Sequence, residues 1–234
     1  THRYTLFPYT TLFRSHSGQY VEALRSAFVL ADSSERRARV EDQVRRTATA
    51  LGGSIIEDVE LVDIVNNLVE FPAVSAGKFE AKYLEVPDEV LITAMRKHQK
   101  YFAVVDAKQR LMPCFIAVNN TPARDMELVA RGHERVLRAR LEDARFFFKT
   151  DLNDTLNDWR KKLGGVLFQA KLGTMFDKTK RIRQLAEDLC SRISGDSRLR
   201  AQVGRAADLC KADLVSQVVG EFPELQGIMG RVYA

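Results

Sequence analysis

The most restrictive feature of this 234-residue sequence is a change of hydrophobic period near Asn120. Before that residue, several apolar runs alternate or stand alone as strands do; after it, apolar residues recur at the three- and four-residue spacing of helices. Because sheets and helices bury their apolar residues in different layers, this pattern predicts an α+β fold. We expect an α+β part at residues 16–150 and an all-helical part at residues 151–234.

Residues 79–86, 101–106 and 111–119 are the predicted strands of one small mixed or antiparallel sheet. The last two flank a four-residue connection, which indicates a hairpin. A short apolar run at residues 27–31 also suits a buried strand. Asp32 offers a carboxylate to cap the helix that should follow it. The predicted helices lie at residues 35–51, 58–69, 87–97, 125–130, 133–149, 156–162, 174–193, 199–209 and 213–219.

Residues 1–15 do not read as part of the fold. They show no helical or strand period, and they lack the charged start and cleavage site of a signal peptide. Residues 5–15 correspond codon for codon to a common short-read sequencing adapter. We therefore expect an adapter-derived artefact at residues 1–15, and a gene fragment cut at both ends.

The cysteines and the apolar runs bear on the compartment. Three scattered cysteines are too few for a disulfide framework, which indicates reduced thiols and a cytoplasmic protein. No apolar run approaches the ~20 residues that span a bilayer, so we expect no membrane partner.

Positive charge is concentrated in the second half of the chain. Residues 16–90 carry 8 lysines and arginines against 14 aspartates and glutamates, whereas residues 91–200 carry 23 against 13. On a helix, five basic residues between 131 and 149 share one face, and a second basic patch precedes Tyr101 and Phe102, whose rings could stack on bases. The candidates for RNA contact are Arg96, Lys97, Lys100, Arg131, Arg135, Arg138, Arg145 and Lys149. The alternative is an ordinary solvated helix face.

Motifs of catalysis are missing from the sequence. It contains no phosphate-binding glycine loop, no H-E-x-x-H metal pair and no nucleophile elbow. His98 and His133 have no partner placed by spacing, as a general base would need. We expect no catalytic residue and no metal site in this chain.

Several longer strings are more specific than any generic motif. Two of them are His98-Gln99-Lys100-Tyr101-Phe102 and the run RLEDARFFF at residues 140–148. Together they resemble the β subunit of the bacterial tetrameric glycyl-tRNA synthetase over about residues 20–234. The remaining strings lie at residues 78–80, 83–87, 134–136, 177–179, 221–230 and 233–234.

This resemblance implies a tRNA-handling subunit of an α2β2 heterotetramer. In such an enzyme a separate α subunit uses ATP and Mg²⁺ to activate glycine for attachment to tRNA(Gly), so this chain alone should be inactive and hold no cofactor. The resemblance further implies part of a B3/B4-like domain followed by a truncated HD-type helical domain.

Three positions depart from the family pattern. Gln109 replaces glycine in the hairpin turn, which puts a positive φ there in doubt. Ala139 replaces proline, which should make its helix more regular. Ala212 stands where an HD phosphohydrolase has histidine, so Asp213 is expected to cap the following helix instead. An HD-type metal phosphohydrolase and a purely structural assembly module remain the alternatives.

Overall fold

The computed structural model describes residues 17–234, so the segment attributed to an adapter lies outside the described residues. The chain forms two compact units. The first comprises the described residues up to Leu84 together with Ala94–Ala139, and the second comprises Glu85–Thr93 and Arg140–Ala234. The boundary between the units at Ala139 and Arg140 lies inside the helix Met126–Asp151, whereas the sequence suggested a boundary at residue 150. The fold is α+β, as predicted.

Three helices open the first unit: α1 (Tyr20–Ser26), α2 (Ser33–Ala50) and α3 (Val59–Leu68). Asp32 accepts hydrogen bonds from the backbone N–H groups of Ser34 and Glu35, which caps α2 as expected. Asp58 caps α3 in the same way through Leu61. The apolar stripe of α2 packs into a core with the α3 valines and the sheet residues Phe102 and Ile116.

The apolar run at residues 27–31 is not a strand, which corrects the sequence prediction. Phe28 takes a positive φ of 60°, and the N–H of Val29 bonds to the carbonyl of Leu24 at 2.9 Å. This is the Schellman ending of α1, in which a left-handed residue turns the chain away from the helix axis. Leu30 is still buried, so the run supplies core contacts without pairing in the sheet.

The sheet has four antiparallel strands in the order β1-β3-β4-β2: β1 (Ser54–Ile55), β2 (Ala73–Lys78), β3 (Phe102–Val105) and β4 (Leu111–Asn119). The predicted hairpin is thus confirmed as β3 and β4. In its turn, Gln109 does adopt a positive φ of 60°. Asp106 supports that turn by accepting hydrogen bonds from the N–H groups of Lys108 and Arg110.

The strand predicted at residues 79–86 is wrong, and β2 precedes it. Lys78 is the last residue of β2, paired with Cys114, and the N–H of Phe79 still bonds to the carbonyl of Pro113. Proline has no N–H to return that bond, so the ladder ends at this pair. The chain then forms a 3-10 helix at Ala81–Glu85 that buries Tyr83.

The next helices differ from the sequence prediction in their limits. The helix expected from Pro87 is α4 (Asp88–Ala94), which continues into a π-helical turn at Met95–Gln99. A single helix, α5 (Met126–Asp151), replaces the two predicted at residues 125–149. It runs unbroken through Ala139, as the absence of proline there predicts.

The second unit contains five further helices and one hairpin. The elements are α6 (Leu156–Lys162), β5 (Leu167–Gln169), β6 (Gly173–Thr174), α7 (Met175–Ile193), α8 (Ser197–Leu209), α9 (Gln217–Glu221) and α10 (Ile228–Val232). The β5–β6 hairpin corrects the expectation of an all-helical part. It leads into α7, where Thr174 and Asp177 form a reciprocal capping box.

Two buried carboxylates organise the end of the second unit. Asp151 accepts hydrogen bonds from the N–H groups of Gln217 and Val218, at 2.7 and 3.0 Å, and from the hydroxyl of Tyr233 at 2.8 Å. Asp213 accepts from the N–H groups of Gly227 and Gly230, at 2.5 and 3.1 Å. Asp213 therefore serves the start of α10 and not the helix that follows it directly, which corrects that prediction.

Candidate RNA-binding surface

Helix α5 carries the basic face that the sequence predicted. Asp125 starts the helix by accepting a hydrogen bond from the N–H of Leu128 at 2.9 Å. Leu137, Leu141 and Ala144 are almost completely buried, so one side of α5 packs. The opposite side presents its cations outward, as the amphipathic pattern requires.

The cations of α5 that belong to the first unit are exposed and loosely paired. The guanidinium of Arg131 lies 3.9 Å from Glu127, and that of Arg138 lies 3.6 Å from Glu80. Arg135 is exposed and makes no hydrogen bond or ion pair with any residue that the structure describes. These three residues, Arg131, Arg135 and Arg138, form what we call the arginine face.

A glutamate and a histidine of α5 bond to the sheet of the same unit. Glu134 accepts a hydrogen bond from the N–H of Lys78 in β2 at 2.8 Å. His133 is bonded on both ring nitrogens: Nδ1 lies 2.8 Å from the hydroxyl of Tyr101, and Nε2 lies 2.8 Å from Oδ1 of Asn119. These bonds from Glu134 and His133 therefore fix α5 to the sheet of the first unit, next to the arginine face.

The partners of Asn119 fix the protonation of His133. The amide nitrogen of Asn119 donates to the carbonyl of Ala73 and to the hydroxyl of Ser75, both at 3.0 Å, so its Oδ1 must face the imidazole. Nε2 then carries the proton and Nδ1 accepts from Tyr101, which is the assignment of a neutral ring. Burial lowers the pKa of His133 below its ordinary 6.5 and raises the pKa of Tyr101 to about 12, which keeps both groups uncharged.

This network was missed by the sequence analysis. His133 and Asn119 are 14 positions apart and His133 and Tyr101 are 32 apart, so no local spacing brings them together. Tyr101 also stacks on Phe115, with ring centres 4.6 Å apart. Tyr101 and Phe102 are both buried, and neither ring is available to stack on a base.

Two cations of α5 in the second unit, Arg145 and Lys149, share one carboxylate partner, whereas Arg140 is exposed. Arg145 donates from Nε to Glu85, and Nζ of Lys149 lies 3.1 Å from the same carboxylate oxygen. These hydrogen bonds, first from Arg145 and then from Lys149, lower the pKa of Glu85 below its usual range. The Arg145 side chain is 27% exposed, against 65% for Arg138, so the predicted stripe is uneven along the helix.

The second predicted patch is divided as well. Arg96 donates to Asp58 at 2.5 Å and to Glu60 at 2.6 Å, and these bonds raise the pKa of its guanidinium. Lys100 has a positive φ of 57° and its ammonium donates to the carbonyl of Lys97 at 2.7 Å. Lys97 is exposed. Arg96 thus has a structural role at the start of α3, where Asp58 is the cap.

Within residues 17–234, no group of three or more histidine, cysteine, aspartate or glutamate side chains is placed to hold a metal ion. In the same part of the chain, none of the helices combines the length and the apolar composition needed to cross a membrane.

Comparison with known proteins identifies the family. The family model described as glycyl-tRNA synthetase beta subunit matches residues 2–234. This chain belongs to the glycyl-tRNA synthetase β-subunit family. It is 56% identical to the glycine–tRNA ligase β subunit of Desulforapulum autotrophicum over 215 residues, and 56% identical to that of Desulfatibacillum aliphaticivorans over 218 residues. It is 50% identical to the β subunit of Myxococcus xanthus over 216 residues. Each match covers 92% of this chain.

This member of the glycyl-tRNA synthetase β-subunit family spans about a third of the length of those relatives, since each match covers 31% of the relative. The comparisons give no support to the HD-type phosphohydrolase alternative. The structure agrees at the position of the dyad, where Ala212 supplies no ligand and both hydrogen bonds that Asp213 accepts come from backbone N–H groups. Asp213 is engaged at the start of α10.

Proposed function

We propose that this chain is part of the tRNA-handling β subunit of a glycine–tRNA ligase, and that its arginine face contacts the phosphates of tRNA(Gly). In this proposal a separate α subunit activates glycine with ATP and Mg²⁺, and the two subunits work as a cytoplasmic heterotetramer. Membership of the β-subunit family supports the role, and the charge arrangement on α5 supports the contact.

The observation that carries the RNA contact is the state of the arginine face. A guanidinium that already pairs closely with a carboxylate must give up that pair to bind a phosphate, which cancels much of the gain. Arg135 has no such partner among the described residues, and the pairs of Arg131 and Arg138 are 3.9 and 3.6 Å long. These three cations can therefore meet phosphates at little cost.

The other candidates rank below the arginine face for the same reason. Arg96 and Arg145 have close carboxylate partners, and Lys149 shares the carboxylate of Arg145. Lys97 and Lys100 stay candidates as a second, smaller group. Close carboxylate partners thus separate Arg96, Arg145 and Lys149 from the arginine face as candidates for phosphate contact.

The test compares two matched pairs of substitutions in the first unit. One variant carries Arg135→Gln and Arg138→Gln on the arginine face; the control carries Arg45→Gln and Arg46→Gln on α2, which removes the same charge elsewhere. Binding of a tRNA(Gly) transcript is measured by fluorescence anisotropy over a range of salt concentrations. Phosphate contacts release counterions, so we expect the first variant to flatten the log–log salt slope by roughly two units and the control to leave it nearly unchanged.

Other results would change the proposal in defined ways. An equal loss of tRNA affinity in both variants would mean that binding depends only on the total charge of the chain. Absence of salt-dependent binding by the unaltered chain would favour the structural assembly module over direct tRNA contact.

A further inference from the structure

Helix α7 carries an apolar stripe that its neighbours leave largely uncovered. Leu185, Leu189 and Ile193 are 70%, 58% and 77% exposed, although they recur at a four-residue spacing. At 100° per residue they fall within an arc of about 80° on one side of the helix. Such a periodic row is the pattern of a packing face, whereas isolated exposed leucines are common on any surface.

The stripe borders a groove between α7 and α8. The groove has a volume of about 280 Å³, and nearly all of its walls are apolar: Ala186, Leu189, Cys190, Ile193, Ser194, Leu199 and Val203 line it. Cys190 forms the floor and is only 7% exposed, while the leucines and Ile193 stand at the rim. Helix α8 therefore covers one edge of the stripe and leaves the other edge open.

The shape and chemistry of this groove suit an amphipathic helix. Such helices bind through anchors at positions i, i+3 or i+4 and i+7, which fill an apolar channel between two helices. Two exposed arginines neighbour rim residues in the sequence: Arg192 precedes Ile193, and Arg200 follows Leu199. An occupant with acidic residues flanking its apolar stripe would complement them.

We propose that the groove between α7 and α8 is an intrachain docking site, covered by an amphipathic helix from the part of the β-subunit chain that this sequence does not contain. The relatives are long enough to contain such a helix outside the matched region, because the match covers only 31% of each of them. The inference rests on membership of the family and on the exposed stripe. It is independent of the proposed tRNA contact.

Thiol labelling measures the cover directly. Ile193→Cys places a reporter thiol at the most exposed position of the stripe, and Leu128→Cys on α5 is the control, since Leu128 is 60% exposed outside the groove. Each is made in this 234-residue chain and in a full-length β subunit of Desulforapulum autotrophicum in which residues 17–234 of this chain replace their counterparts. Maleimide labelling is followed by mass spectrometry of tryptic peptides. Cleavage after Arg192 separates the reporter thiol from Cys190.

A covered groove shields the reporter only in the long chain. We expect labelling at position 193 to be at least about tenfold slower in the full-length protein than in this chain, because the reporter reacts only when the helix leaves. Labelling at position 128 should change by less than about twofold, because no occupant of the groove covers it. Circular dichroism establishes that the full-length host is folded, and the Desulfatibacillum aliphaticivorans subunit is the second host if the first is not.

Each alternative occupant gives a different result and overturns the proposal. Shielding in this chain that grows with its concentration would assign the groove to a second copy. Shielding of the full-length protein only after an α subunit is added would assign it to that partner. Fast labelling under every condition would show that no helix occupies the groove. Equal slowing at positions 193 and 128 would show that the slowing is general and is not caused by a helix in the groove.

Discussion

The two units satisfy their buried polar groups in different ways. In the first unit, the buried link between α5 and the sheet is neutral: the imidazole of His133 lies between the hydroxyl of Tyr101 and the amide of Asn119. In the second unit, carboxylates do the equivalent work, and Asp151 is 3% exposed while it accepts three hydrogen bonds. The neutral network is stable only while the His133 ring stays unprotonated. The buried carboxylate of Asp151 is stable only while all its hydrogen-bond donors are present.

The cations of α5 also differ between the units. Those of the first unit are exposed on the arginine face, whereas Arg145 and Lys149 of the second unit share Glu85. The basic side chains of one helix thus form two different surfaces, because the distances to neighbouring carboxylates differ. Four experiments test this difference between the units.

The largest effect is expected from Asp151→Ala. Three donors lose a buried acceptor, among them the Tyr233 hydroxyl, and hydrogen bonds to a charged group are the costly ones to remove. We expect the second unit to lose about 3–5 kcal/mol of unfolding free energy. Trp159, the single tryptophan of the chain, reports this unit by fluorescence during urea denaturation, since its ring meets that of Tyr233 at 4.8 Å.

The control for this variant is Asp188→Ala, which removes an exposed carboxylate of α7 and should leave the urea midpoint unchanged. Hydrogen exchange of the β3–β4 hairpin follows the first unit at the same time. Loss of protection there equal to the loss in the second unit would contradict the division into two units.

His133→Ala should have the next largest effect, confined to the first unit. The substitution leaves the Tyr101 hydroxyl and Oδ1 of Asn119 without their partner, which costs about 1–3 kcal/mol. Tyr101→Phe removes the other end of one bond, so the double variant should lose less than the sum of the two single losses. Strict additivity in urea denaturation would show that Tyr101 and His133 are not coupled.

The pH dependence of stability should separate the units without any mutation. Burial lowers the folded-state pKa of His133, so below its ordinary value of 6.5 the unfolded chain binds a proton more readily than the folded one. Stability of the first unit is therefore full above pH 6.5 and falls as the pH drops through the folded-state pKa. Residues 85–93 and 140–234 contain no histidine, so the second unit should not respond between about pH 7.5 and 5.5.

Urea midpoints read from NMR signals of β4 and from Trp159 fluorescence give the two pH profiles. In the variant His133→Gln, the first profile should become flat over the same range. A slope that survives this substitution would assign the proton to another group.

The smallest change in stability is expected from Glu85→Gln. Its side chain and those of its partners are partly exposed, and pairs of this kind contribute little, so the denaturation midpoint should not move measurably. The substitution removes the close carboxylate that Lys149 and Arg145 share. If the arginine face binds tRNA, this variant should bind tRNA(Gly) more tightly and with a steeper salt slope. Asp143→Asn, at an exposed position of the same helix, is the matched loss of charge.

Local signals predicted much of the secondary structure, and the reason is that caps and turns act over a few residues. Asp32 and Asp58 begin helices as their spacing indicates, and the β3–β4 hairpin appears where two strand-like runs flank a short connection. The basic face of α5 was also predicted, since an amphipathic helix follows from its own periodicity. The family strings likewise lie in the sequence itself.

Contacts between distant residues decided the rest. Pro113 ends the pairing of β2 and so turns residues 79–86 away from the sheet, although their own pattern is that of a strand. Glu80 and Glu85 determine how freely Arg138 and Arg145 can act, although each pair is far apart in the sequence.

The α+β class, the position of most helices and the family were predictable from the amino-acid sequence, because each depends on residue type and short spacing. Long-range contacts set which arginines lack a close carboxylate, how His133 is held neutral, and which helix Asp213 caps. The physical reason is that charge pairing and burial depend on groups that only the folded chain brings within hydrogen-bonding distance, and no periodicity along the chain encodes those distances.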